Sequence, residues 1–149
     1  MIFVEGVNDK TFLIAMNIPG RRIHKLSGRG NVSNRLSKST GCKAMVDEDP
    51  HEGTMPHYFA SLKELKKNDF RIQLVDAQKD NLVLVLRPDF ERWFLSFCQR
   101  EKIELKGISP KPSLFKGDIA RPSGKKKFTQ IVQDHLGHQT LVEIKEILS

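Results

Sequence analysis

The chain has 149 residues, 38% of them hydrophobic and 29% charged, a length that suits one domain with a modest extension and folds without disulfides or a structural metal. Its 25 basic and 18 acidic residues leave a net charge of +7, and the composition excludes a disordered or fibrous chain. The longest strongly apolar run, positions 82–86, is far short of the ~20 residues of a membrane span. The apolar start Met1-Ile2-Phe3-Val4 is broken at once by Glu5, so no leader and no membrane partner are expected and the chain reads as cytoplasmic.

Ile2-Phe3-Val4 followed by Glu5-Gly6 reads as a short buried strand running into a turn. A helix should follow, with Asn8 as its N-cap, Asp9 in its first turn and Phe12, Leu13 and Met16 on one face, before Ile18-Pro19-Gly20 ends it. A second strand is expected over 22–26, then a loop over 27–31 in which Gly28-Arg29-Gly30 is a plain turn, then a short helix over 32–36. Positions 42–46 read as a third strand that runs into Asp47-Glu48-Asp49-Pro50, where proline ends the ladder. Phe59, Leu62 and Leu65 recur at helical spacing after Thr54-Met55-Pro56, predicting a helix that also carries Tyr58, the single tyrosine.

Positions 71–75 and 81–86 are two further strands, the second too apolar for an exposed edge. Asp89 then caps a helix whose Phe90, Trp93, Phe94, Phe97 and Cys98 form a broad apolar face. Strands alternating with helices predict an α/β fold with a mainly parallel sheet. Beyond Gly107 the prolines 110, 112 and 122 and Gly124 suggest a basic loop, followed by helices near 128–136 and 140–148. The expected division is an α/β domain over 1–105 and, over 106–149, a basic loop and helical extension packed on the same domain.

Charge is unevenly placed. Lys10 to Val46 holds eight basic residues and no acid, and is followed directly by Asp47-Glu48-Asp49. Lys106 to Lys127 holds seven basic residues against Asp118 alone. In an open α/β sheet, ligands bind beyond the carboxyl ends of the strands, and Glu5, Asp47 and Asp49 stand at two such ends. Asp47 and Asp49, two positions apart, can face one side of an extended segment, with Glu48 turned away. Carboxylate oxygens of this kind suit Mg²⁺, which keeps several waters and takes substrate phosphates as its remaining ligands. Acids set within basic surface suit a polyanion, with cations on the phosphates and acids on the metal.

Val4-Glu5-Gly6-Val7-Asn8-Asp9-Lys10, followed about forty residues later by Met45-Val46-Asp47-Glu48-Asp49, resembles the paired motif of the Toprim domain. That domain is shared by topoisomerases, primases, overcoming-lysogenization-defect nucleases and small ribonucleases. The resemblance covers about residues 1–100 and implies a Toprim-like, Rossmann-like sheet flanked by helices. It implies that Glu5 does general acid/base work and in some members binds metal, that Asp47 and Asp49 hold Mg²⁺, and that Gly6 permits the tight turn. Asp9 matches a further acid of several nuclease members, and Glu91 matches a second-metal ligand of some relatives. Mn²⁺ could replace Mg²⁺.

Other patterns are discounted. The glycines 117 and 124 enclose six residues rather than four, and Lys126 stands where a phosphate loop needs serine or threonine. Cys42 and Cys98 fit no metal or redox spacing and read as free thiols. His51 and His57, and His135 and His138, have no cysteine partner and read as solvated or capped. Trp93 and its phenylalanine neighbours read as core. A topoisomerase would need a nucleophilic tyrosine on a strand-passage domain, which Tyr58 in a helix does not provide. The chain therefore reads as a small stand-alone Toprim protein performing Mg²⁺-dependent phosphodiester hydrolysis on DNA or RNA. Arg21, Arg22, Arg29, Lys125, Lys126 and Lys127 would position the backbone without reading sequence. The alternative is a nucleic-acid-binding or adaptor module that keeps the metal pocket without cleaving, and a partner protein could supply missing residues.

Overall fold

A computed structural model describes residues 1–149. Six strands form one sheet: β1 (Ile2–Val4), β2 (Ile23–Lys25), β3 (Lys43–Asp47), β4 (Lys63–Lys67), β5 (Arg71–Asp76) and β6 (Asn81–Leu86). Their spatial order is β2-β1-β3-β6-β5-β4, with β2, β1, β3 and β6 mutually parallel. β5 and β4 extend this core antiparallel. β5 turns back on β6 through a tight turn in which the Asp76 carboxylate accepts the N–H groups of Gln78 and Lys79, too short for the crossover that a parallel neighbour requires. The architecture is Rossmann-like α/β.

Period-two alternation assigns each strand residue to a face. Ile2, Val4, Met45, Leu84 and Leu86 face a core shared with α1 (Val7–Ala15) and α4 (Phe90–Arg100). Phe3, Ala44, Val46, Val83 and Val85 face the opposite core, covered by α2 (Gly28–Ser37) and the single turn α3 (His57–Ala60). The first core is aromatic: Trp93 stacks on Phe97 with ring centroids 6.1 Å apart, and Phe94 meets Phe128 at 4.9 Å. These rings are interior, as their helical spacing predicts. Cys42 and Cys98 are free thiols, and burial pushes Cys98 up to about 12.

Several elements differ from expectation. α1 begins at Val7 with Gly6 at its cap, so Asn8 is not the N-cap but a buried first-turn residue. The strand enters the helix through Glu5-Gly6 alone, and Asp9 packs against Gly6 in the first turn. α2 starts at Gly28, whose φ of +84° suits glycine, so Gly28-Arg29-Gly30 is the first helical turn and not a plain turn. The helix expected through Leu65 stops at Ala60, and Lys63–Lys67 is an exposed edge strand paired with β5. Lysines on such an edge resist further strand pairing.

The basic segment after Gly107 is also largely helical, as α5 (Pro112–Ala120), α6 (Pro122–Asp134) and α7 (Gln139–Leu148). Pro112 and Pro122 open α5 and α6 instead of breaking them, since a first helical residue needs no N–H partner. Phe115, Ile119, Phe128, Ile131, Leu141 and Ile144 join the core of α1 and α4. No helix is long and apolar enough to cross a membrane.

Candidate metal centre

The chain leaves β1 for β2 on one side and returns across β1 to β3 on the other, so the crevice beyond the carboxyl ends of β1 and β3 is the sheet's switch point. Val4 pairs with Met45, which brings the residues just past these strands together. The Glu5 carboxylate accepts the Asp47 N–H at 2.6 Å. Asp47 Oδ1 accepts the N–H of Phe90 at 2.9 Å, satisfying one free donor of the α4 N-terminus. Asp49 adopts a left-handed conformation, φ 45°, and its N–H is held by the Pro88 carbonyl at 2.9 Å. Glu5, Asp47 and Asp49 thereby offer carboxylate oxygens all within 4.8 Å of one another, and this group can hold a metal ion.

Glu48 turns away to pair with Arg87 at 3.0 Å, as strand alternation predicts. Asp9 is 6% exposed and, with Glu91, lines the same cavity of about 600 Å³. Gly6 matters here for its missing Cβ, which would stand 3.0 Å from Asp9 Oδ2. Burial pushes Glu5 up to about 7, the Asp47 N–H opposing and Asp49 adding. Burial, then the charges of Asp9, Glu5 and Asp49, push Asp47 up to about 9. Asp49 is raised by burial and Glu52, Asp9 by burial, Glu5 and Glu91, and Glu91 by burial. Buried like charges disfavour ionisation unless a cation offsets them.

The donor set fits a hard divalent cation, since its atoms are carboxylate oxygens; Asn8, which also lines the cavity, keeps its buried Oδ1 without a hydrogen-bond partner. Asn8 Nδ2 meanwhile donates to the Lys116 carbonyl at 3.2 Å, tying α1 to α5.

The basic residues named from sequence are dispersed. Arg29 is buried, and its guanidinium donates to the carbonyls of Glu48 and Thr54, holding the loop after β3. Arg21 and Arg22 precede β2 and so lie at the amino ends of the strands, opposite the carboxylates; Arg22 acts electrostatically on Lys43 there. Lys125, Lys126 and Lys127 lie exposed on α6. The cations that line the carboxylate cavity are Arg29 and Lys116. Sequence reading missed Lys116 as a site residue. Its signal is the small, polar face Ser113, Lys116, Gly117, Ala120, at helical spacing, opposite the buried Phe115 and Ile119.

An adjoining cavity of about 300 Å³ shares Asp47, Asp49, Glu91 and Lys116 and adds Asp89 and Arg92. The Asp89 side chain caps α4, accepting the Arg92 N–H at 2.8 Å. The acids thus form a continuous concave surface with cations on its α4–α5 rim. No protein-family model, no curated protein and no solved structure matches the chain.

Proposed function

We propose that the protein is a Toprim-like metal-dependent phosphodiesterase acting on DNA or RNA, with Mg²⁺ or Mn²⁺ held by Glu5, Asp47 and Asp49. The observation that carries this reading is the convergence of these three carboxylates at the switch point of a parallel sheet. A bound divalent cation would polarise the phosphate and lower the pKa of an attacking water. Asp9 and Glu91 lie on the wall of the same cavity and would be the acids for a second ion. Glu5 is held in place by the Asp47 N–H and would be the group for proton transfer where it does not ligate the ion. Lys116 and Arg92 supply positive charge on the rim, where a phosphate backbone needs it.

The test is a cleavage assay on mixed single- and double-stranded DNA and RNA with Mg²⁺ or Mn²⁺, against EDTA and against Asp47→Ala. Cleavage should require the metal and fall to background in the variant. Metal-dependent binding without cleavage would instead support a binding module, and activity surviving in Asp47→Ala would remove the centre from the chemistry.

A further inference from the structure

A second polar pocket, sharing no residue with the carboxylate cavity, lies between the β4–β5 turn and helices α4 and α7. Lys66, Asn68, Phe70, Arg71, Arg100 and Thr140 line it, with Trp93 and Glu143. Lys66, Arg71 and Arg100 face one acid, Glu143, so the lining carries a formal excess of positive charge. Glu143 is already engaged: one carboxylate oxygen takes Arg71 Nη2 at 2.7 Å and the other takes Gln139 Nε2 at 3.1 Å.

Arg71 is 6% exposed, and its Nε is buried with no partner. Arg100 is held ready beside it, its guanidinium carbon 3.6 Å from the centre of the Phe70 ring. The Asn68 side-chain oxygen is occupied by the N–H groups of Phe70 and Arg71, so its Nδ2 donors remain. Thr140 lies in the first turn of α7, where no side chain caps the helix and the free N–H groups favour negative charge. The pocket holds about 110 Å³, room for a tetrahedral oxyanion.

From Lys66, Arg71 and Arg100, which line one small cavity against a single acid that is already engaged, we infer an anion site that takes one phosphoryl group. Forked guanidinium donors match phosphate oxygens in geometry as well as charge. The group can be inorganic phosphate or the phosphate of a nucleic-acid backbone, and the site does not depend on the metal centre.

The test titrates the full chain with inorganic phosphate in EDTA at fixed ionic strength, by calorimetry and by melting temperature. Wild type should bind saturably at one site. Lys66→Ala, at an exposed position, and Arg100→Gln should each weaken binding about tenfold or more, the usual loss on removing a charged hydrogen bond. Lys38→Ala, an equal charge change at the C-cap of α2, should leave it unchanged, and so should Asp47→Asn. Salting-out stabilisation by phosphate acts on all variants alike, so the difference between them is diagnostic. Absence of saturable binding by wild type, or equal weakening in Lys38→Ala, would overturn the site. A short oligonucleotide then separates the sources: displacement by phosphate assigns the site to a backbone phosphate, and independent binding assigns it to free phosphate.

Discussion

Asp47 is half-buried beside Asp9, Glu5 and Asp49, and desolvation with these charges raises its carboxyl to about 9, while desolvation raises Glu5 to about 7. In the unfolded chain both titrate near about 4. The folded state therefore binds more protons than the unfolded state between these limits, so this contribution to stability is full below about pH 4 and is lost as pH rises through about 7 and then about 9. In EDTA, urea midpoints should accordingly fall from pH 5 to pH 9, and Asp47→Asn should flatten the fall. Mg²⁺ or Mn²⁺ competes with the protons and binds the native state, so it should raise the melting temperature more at pH 8 than at pH 5. A pH profile in EDTA that is the same for wild type and Asp47→Asn, or a metal response that survives Asp47→Asn and Asp49→Asn, would remove these carboxylates from the centre. The acids themselves were readable because strand ends and i, i+2 spacing are local features of sequence. Asn8 and Lys116 were not, because their place beside the acids depends on α5 folding back over α1 through the Asn8 to Lys116 carbonyl bond.

The α5–α6 joint shows how a local reading can fail. Arg121 caps both helices, and a Cβ on Gly124 would stand 1.9 Å from the Asp118 carbonyl oxygen. Helix propensity alone predicts that Gly124→Ala stabilises by about 1 kcal/mol. Close approach of two backbones predicts destabilisation of about 1–3 kcal/mol or more, and thermal unfolding decides the sign at roughly 2–4 °C per kcal/mol for a chain of this size. A rise in melting temperature would mean the helices can separate freely. The same distinction explains the misread elements. Lys63–Lys67 is rich in helix formers, yet the open edge of β5 recruits it as a strand, since pairing outweighs weak intrinsic propensity. Pro112 and Pro122 break or start helices depending on what precedes them, and that is set by packing of Phe115 and Phe128 in the core. The parallel strands and α4 were legible because their apolar periodicity is strong and local.

Along the strand direction the whole molecule sets the clustered carboxylates at one end of the parallel strands and Arg21 and Arg22 at the other, and this decides which cations can serve one ligand. β3 has five residues and so spans about 17 Å, with Arg21 and Arg22 toward its amino end and the carboxylates at its carboxyl end. On the proposed reading, a nucleic acid lying across the carboxylates would be flanked by Lys116 and Arg92 on the rim, and the exposed Lys125 to Lys127 of α6, the helix that follows α5, would be the further cations to test. Each phosphate contact releases counterions, so the slope of log K against log salt counts the contacts. If all three lysines act, neutralising Lys125, Lys126 and Lys127 together should flatten that slope by about two units for single strands or nearly three for duplex DNA. Loss should be alike for unrelated sequences, because phosphate contacts carry no base information. Arg21→Gln with Arg22→Gln, at the opposite end of the sheet, should leave the slope as it was. Fluorescence anisotropy between roughly 50 and 200 mM salt covers the useful range. A triple variant with the wild-type slope would make those lysines solvated surface only, and a flattened slope in the double arginine variant would mean the nucleic acid runs along the strands to the amino end instead of across their carboxyl ends.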